Sequence, residues 1–188
     1  MQAASQHRLS RRVVVGSSAA ALLMLNARQV TDTASAIQIA VQGGGGAAGG
    51  GTIQLGDGTA ATFSVFATRL TVKGSKEPLI LGTVLVSAGG KRYASTNIAD
   101  YGPIQGSTYG REITGTMTID GSGKHPFHVN MPDLGEGDFG TDTFGFKIWD
   151  QVTATTNVDV TPTGEPIFNF EGPLTTGDIQ LVDLKFTK

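Results

Sequence analysis

The stretch "PDLGEGDFGTDTF", Pro132–Phe144, sets four carboxylates, Asp133, Glu136, Asp138 and Asp142, among three glycines. Calcium favours carboxylate and carbonyl oxygens on glycine-bearing loops, so this composition suits a calcium site. The spacing departs from an EF-hand loop, which alternates its acids around a fixed glycine and closes on a glutamate. It also departs from the nonapeptide calcium repeat. The same residue types build an ordinary solvated turn between two strands. A turn is the expectation here, with calcium at the four carboxylates as the alternative. A glycosidase pair would need a cleft with aromatic platforms, and one Trp with three Tyr supply few of them.

A second candidate is "YGPIQGSTYGRE", Tyr101–Glu112, an irregular segment with two tyrosines. Aromatic loops give contact area at low entropic cost. In a closed barrel, Tyr101, Tyr109, Arg111 and Trp149 would surround a ligand cavity; packing over a barrel mouth or sheet edge is the plainer reading. His125 and His128 sit three apart, so in a strand they face opposite sides, and both read as surface or strand-start residues. Without a histidine ligand set a zinc hydrolase is not expected. Cysteine is absent, which excludes thiol catalysis and disulfide staples. There is no Gly-x-Ser-x-Gly elbow, and the glycine run Gly43–Gly51 lacks the Lys-Ser/Thr of a phosphate loop. No catalytic and no cofactor-binding residue is expected, calcium aside.

The elements that must carry these loops are strands. "REITGTMTID" sets Ile113, Met117 and Ile119 against Thr114, Thr116 and Thr118, the alternation of a half-buried strand. Phe127, Val129 and Met131 repeat it, and so do Phe144, Phe146 and Ile148. Asp120-Gly121-Ser122-Gly123 between two such runs is a hairpin signal. Further runs are "TIQL", "TFSVFATRLTV", "PLILGTVLVSA", "PIFNF" and "DIQLVDLKF". The pattern predicts a single all-β antiparallel domain of about eight strands, as a β-sandwich or a small closed β-barrel. "GTIQL" (Gly51–Leu55) and "GDIQL" (Gly177–Leu181) echo each other near its two ends. Pairing them would seal both edges.

Residues 1–36 have the three parts of an export signal. Arg8, Arg11 and Arg12 precede an apolar run, Val13–Leu25, and Ala34-Ser35-Ala36 offers small residues for signal peptidase. Arg11-Arg12 after Ser10 resembles a twin-arginine signal, with Val14 and Val15 in place of Phe and Leu. The run is shorter than the roughly 20 apolar residues a membrane span needs. No transmembrane anchor is expected after signal removal. Residues 37–51, with "VQGGGGAAGGG", read as a flexible tether, because glycine brings no side chain to bury. The all-β domain is then residues 52–188. Removing the signal takes four arginines and one aspartate, which leaves a mildly acidic chain of net charge −5. With no Lys/Arg cluster, nucleic acid is not an expected partner.

"GGGTIQLGDGTAATFSVFATRL", "TGTMTIDGSGKHPFHVNMPDLGEGDFGTDTFGFKIW" and "FEGPLTTGDIQL" together resemble small secreted bacterial β-domains of the post-COAP type, over roughly Gly49–Leu181. That group carries an acidic Gly-rich loop before Asp-Thr-Phe. Asp133-Leu134-Gly135-Glu136-Gly137 and Asp142-Thr143-Phe144 match it, with Leu134 for Asn and Gly137 for Pro. Lys76–Gly102 departs from the group in detail. The resemblance implies an all-β fold and secretion, and it implies no catalytic residue. The expected role is a non-catalytic binding or structural module, secreted, periplasmic or in the cell envelope. Its partner is unknown; cell-surface attachment and self-association, through Ile37–Val41 donated as a strand, are open. The rival is a small barrel enzyme or carrier, cyclase-like, with an apolar cavity.

Overall fold

Alternation decides which side of each strand faces inward. In "TFSVFA", Phe63, Val65 and Ala67 are buried while Thr62, Ser64 and Phe66 are exposed. The structure, a computed structural model, describes residues 41–107, 109–134, 141–150, 162 and 164–185. The export-signal pattern, Glu136 and Asp138 lie outside them. Eight strands follow in order: β1 (Val41–Gln54), β2 (Ala60–Val72), β3 (Leu79–Ala88), β4 (Lys91–Pro103), β5 (Gly110–Ile119), β6 (Ser122–Pro132), β7 (Thr143–Ile148) and β8 (Phe168–Lys185). Each pairs antiparallel with the next, and β1 pairs with β8, so one sheet closes into a barrel. Of the two expected architectures the closed sheet is the one formed. "PIFNF" and "DIQLVDLKF", which read as two strands, contribute Phe168–Phe170 and Asp178–Lys185 to a single strand, β8.

The hairpin expected at Asp120–Gly123 is present. Asp120 and Gly121 take φ of 51° and 81°, the paired positive values of a two-residue turn whose twist matches the flanking strands. The first and last strands also pair as their echo suggested, with Gly51 opposite Gly177 and Thr52 opposite Thr176.

The tether is a correction. Residues 41–51 are the body of β1, paired with β2 on one side and β8 on the other, so the barrel already includes Val41–Gly51 ahead of Thr52; residues 37–40 lie outside the described residues. Glycine weakens a strand that stands alone, since it loses the most backbone entropy. Here the neighbours sit where side chains would be. A Cβ on Gly49 would lie 2.7 Å from the Asp178 carbonyl oxygen and 3.0 Å from the Ile179 Cα. Thr68 and Leu70 of β2 fold over the other face and are each only 7% exposed, and the Thr68 hydroxyl donates to the Gly45 carbonyl at 3.0 Å. Glycine is required by the closeness of the strands, and two ladders hold the backbone in place of side-chain burial.

The barrel interior is filled with rings. Phe63 stacks on Phe144 with centroids 3.9 Å apart, and Tyr93 stacks on Phe168 at 5.6 Å. Phe146 and Phe170 link the two pairs: Phe146 lies 5.3 Å from Tyr93 and 5.6 Å from Phe170, and Phe170 lies 6.1 Å from Phe144. Val84, Ile113, Met117, Val129 and Met131 close the remaining space, all fully buried.

Two features of the ring position the site. Call the end where β1 begins the upper rim; it carries the β2–β3, β4–β5 and β6–β7 connections. First, β3 pairs with β4 only through Leu85–Ala88, near the lower rim. Above that the Ser95 hydroxyl accepts the Val84 N–H at 2.9 Å, and β4 bulges twice, between Ser95 and Asn97 and between Ile98 and Asp100. Second, β7 is only six residues long, while β8 pairs with β7 through Phe168–Pro173 and with β1 from Leu174 onward.

Candidate functional site

Inward positions of a strand that reach the rim can no longer be covered by the core. In β2, Phe63, Val65 and Ala67 are followed on the same face by Arg69 and Thr71, both exposed. In β4 and β5, Tyr101 lies opposite the buried Ile113, and Pro103 lies opposite Arg111. These inward rim residues border a cleft of about 390 Å³ at the upper mouth, with Gly44 and Gly45 of β1 on its other side. A second cleft, about 330 Å³, lies at the lower rim between the β1–β2 turn and Phe168–Glu171. Both open at the rims, above and below the stacked rings.

Arg69 crosses the mouth. Its guanidinium donates to the Asp100 carboxylate and to the Tyr101 carbonyl, each at 3.3 Å. Asp100 also accepts the Tyr101 N–H at 2.9 Å. Arg111 donates to the Gly110 carbonyl at 2.9 Å. Tyr101 is buried, and Tyr109 is 68% exposed. So Tyr101 and Arg111 do meet at a cleft, as the sequence suggested, and Tyr109 stands out from the adjoining β4–β5 loop. Trp149 does not join them. It follows β7 at the opposite rim, where its ring N–H donates to the Gly164 carbonyl at 3.0 Å. The four-residue cluster is thereby corrected to two residues and a neighbour, because adjacent strand ends in sequence need not share a rim.

Asp133 and Asp142, the described acids of the acidic loop, follow β6 and precede β7 on the side of this same rim. The Asp133 N–H donates to the Tyr109 carbonyl at 2.7 Å, tying the two loops together. Asp142 is turned inward. Its Oδ1 accepts the Leu134 N–H at 3.1 Å and its Oδ2 accepts the Ile179 N–H at 2.9 Å. Its own carbonyl accepts the Leu174 N–H at 2.9 Å. Asp142 therefore does with a side chain what β7 is too short to do with its backbone: it bridges the end of β6 to the upper half of β8. Burial pushes the Asp142 carboxyl above the usual carboxylate range. The two N–H donors oppose that shift, and the charges of Asp133 and Asp178 add to it.

A carboxylate with both oxygens taken by backbone donors is a poor calcium ligand. No group of three or more acidic or histidine side chains among the described residues could hold a metal ion. Thermal melts of the chain in millimolar calcium and in EDTA are expected to coincide within about 1 °C, since only a ligand that prefers the folded state raises the melting temperature. A rise of several degrees would make Asp133, Glu136, Asp138 and Asp142 an ion site.

His125 lies near the start of β6, one of the two places expected for it, but it is not a surface residue. It is 8% exposed, an inward residue at the lower end of β6, and its Nδ1 donates to the Trp149 carbonyl at 3.1 Å. His128 faces outward as expected, 3.1 Å from Glu112.

No family model matches the sequence, and no curated protein and no solved structure matches it.

Arg69 is the cleft residue that sequence reasoning passed over. In "FSVFATRLTV" it reads as one polar residue among several. The available signal was its parity: it shares a face with Phe63, Val65 and Ala67. A charged residue on the apolar face of a strand needs a rim or a partner.

Proposed function

We propose that this chain is an exported, non-catalytic β-barrel that works as a binding or structural module outside the cytoplasm, at the cell envelope or beyond it. The observation that carries the reading is the filled interior. Phe63 stacked on Phe144, with Phe146 edge-on to Phe168, occupies the space where a carrier or a barrel enzyme would hold its ligand, which leaves the upper mouth as the place for recognition. The outward rows support a barrel that faces water. Thr62, Ser64, Lys147, Glu171, Asp178 and Gln180 are all exposed, whereas a membrane barrel needs an apolar outer band. Export rests on the pattern of residues 1–36 and on the resemblance to secreted β-domains. Self-association through a donated Ile37–Val41 strand is less well supported, because Val41 already pairs with Val72 of its own chain.

The test is fractionation of a bacterium that has twin-arginine export and produces the full chain. The expected product lies outside the cytoplasm and begins near Ile37 by mass. Arg11→Lys together with Arg12→Lys is expected to hold the precursor inside. Precursor of full length in the cytoplasm for both versions would sink the export reading. A native mass spectrum of the exported product should show the chain alone; an apolar adduct that survives purification would favour the carrier.

A further inference from the structure

The upper mouth brings two guanidinium groups to one cleft with no acid among its lining residues, in a chain whose net charge is −2. We propose that this cleft binds an exposed carboxylate group, held by Arg69 and Arg111. The proposal rests on the binding-module reading of the same site and adds the chemistry of the ligand.

Arg111 carries the first half. It is half-buried, its one hydrogen bond goes to a neutral carbonyl, and it forms no ion pair among the described residues. A guanidinium has five N–H donors in a fixed planar fork, so most of this group's capacity faces the cleft. Charged groups withdrawn from water normally have partners. Arg69 carries the second half. It is already engaged by a carboxylate, Asp100, but at 3.3 Å and with both side chains about half exposed. An exposed pair of that kind is weak. Asp100 is a built-in competitor that shows which chemistry Arg69 accepts, and a ligand offering two oxygens in one plane can displace it.

The surroundings fit a small group on a larger molecule. Gly102 borders the cleft on one side and brings no side chain to narrow it. Gly44 and Gly45 have no side chains to obstruct the other. Tyr101 and Pro103 supply an apolar wall between them. The volume, about 390 Å³, lies at the low end of the roughly 300–1,000 Å³ typical of small-molecule sites. Arginine is preferred over lysine where a planar anion is gripped by two parallel hydrogen bonds, and both cleft cations are arginine.

The experiment is titration of the isotope-labelled full chain, followed by its amide resonances. The probes are glucuronate against glucose, and N-acetyl-alanyl-alanine with a free C-terminus against its C-terminal amide, with inorganic phosphate as a further arm. Saturable shifts at Gly44, Gly45 and Gly102 are expected with a carboxylate probe and not with its neutral partner. The tighter of the two carboxylates tells whether the group comes from an acidic sugar or a chain end. Arg111→Gln and Arg69→Gln, each with the native melting temperature checked, should weaken binding about tenfold or more, the usual effect of losing a charge-assisted hydrogen bond. Lys147→Gln, a distant surface cation, should change nothing.

Three results would overturn the proposal. Equal shifts with the neutral probes would keep the cleft as a binding site and remove the carboxylate. No saturable shift with any probe would remove this ligand class while the export result stood on its own. Phosphate bound as tightly as the carboxylates, and kept by Arg111→Lys, would mean an adventitious ion only.

Discussion

Gly177→Ala is expected to destabilise the barrel by about 2–5 kcal/mol, read as a fall in the urea midpoint. Two penalties combine. Gly177 has φ of 103°, and a left-handed conformation costs an L-residue about 1–2 kcal/mol. The new Cβ would also stand 2.5 Å from the Cα of Gly51 across the β1–β8 ladder. That clash is with backbone, so no side chain can rotate away, and overpacking of this kind costs about 1–3 kcal/mol. The site lies next to the irregularity where Thr52 pairs with Thr176 and Ile53 with Leu174. There Thr175 is left over, and its hydroxyl donates to the Thr52 carbonyl at 2.9 Å. Gly58→Ala separates the two penalties. Gly58 has φ of 85° and open space around its Cβ position, so it should cost only the first, about 1–2 kcal/mol. If Gly177→Ala cost no more than Gly58→Ala, the close approach of β1 to β8 would be wrong.

Asp142→Ala is expected to cost about 2–4 kcal/mol, because it leaves the N–H groups of Leu134 and Ile179 without acceptors, and each buried unsatisfied donor costs about 1–3 kcal/mol. The Ile179 bond is fully buried, whereas Leu134 is 40% exposed and water can replace part of its loss. Asp142→Asn keeps one acceptor and should cost less. The pH dependence has a definite sign. The folded carboxyl sits above its ordinary value of 3.8 through burial, against the opposing donors, so the folded state holds the proton more tightly than the unfolded chain. The stability due to this proton is fully present below the unfolded value. It is lost as pH rises through the raised folded value, and above that the difference is constant. Wild type should therefore lose stability relative to Asp142→Asn as pH rises from below 4 through the folded pKa. The opposite slope would mean that the two N–H donors outweigh burial.

Local chemistry made much of this protein legible. Alternation in "REITGTMTID" and "HPFHVNM" marks strands because burial on one face selects every second residue. The turn at Asp120–Gly121 follows from residues that tolerate positive φ. The Gly51–Leu55 and Gly177–Leu181 echo pointed to the closing pair. At the site, Tyr101 and Arg111 were singled out and do share a cleft. Asp142 was singled out as well, as a calcium ligand of a turn, and the structure shows its carboxylate accepting two backbone N–H groups. Its two donors, Leu134 and Ile179, lie 8 and 37 residues away, and nothing in the loop's composition encodes them.

The sequence by itself determined the all-β class, the hairpin positions and the carboxylate-rich loop, since each depends on residues within a few positions of one another. Tertiary structure alone decided the rest. Val41–Gly51 is a strand because β2 and β8, the latter more than 120 residues distant, approach closely enough to need glycine there. Arg69 and Arg111 share a mouth because their inward parity and the unpaired stretch between β3 and β4 bring them to one rim. Trp149 lies apart from them for the same reason: which rim a residue reaches depends on how many strands precede it and on the register of each pair, and no local pattern carries that sum.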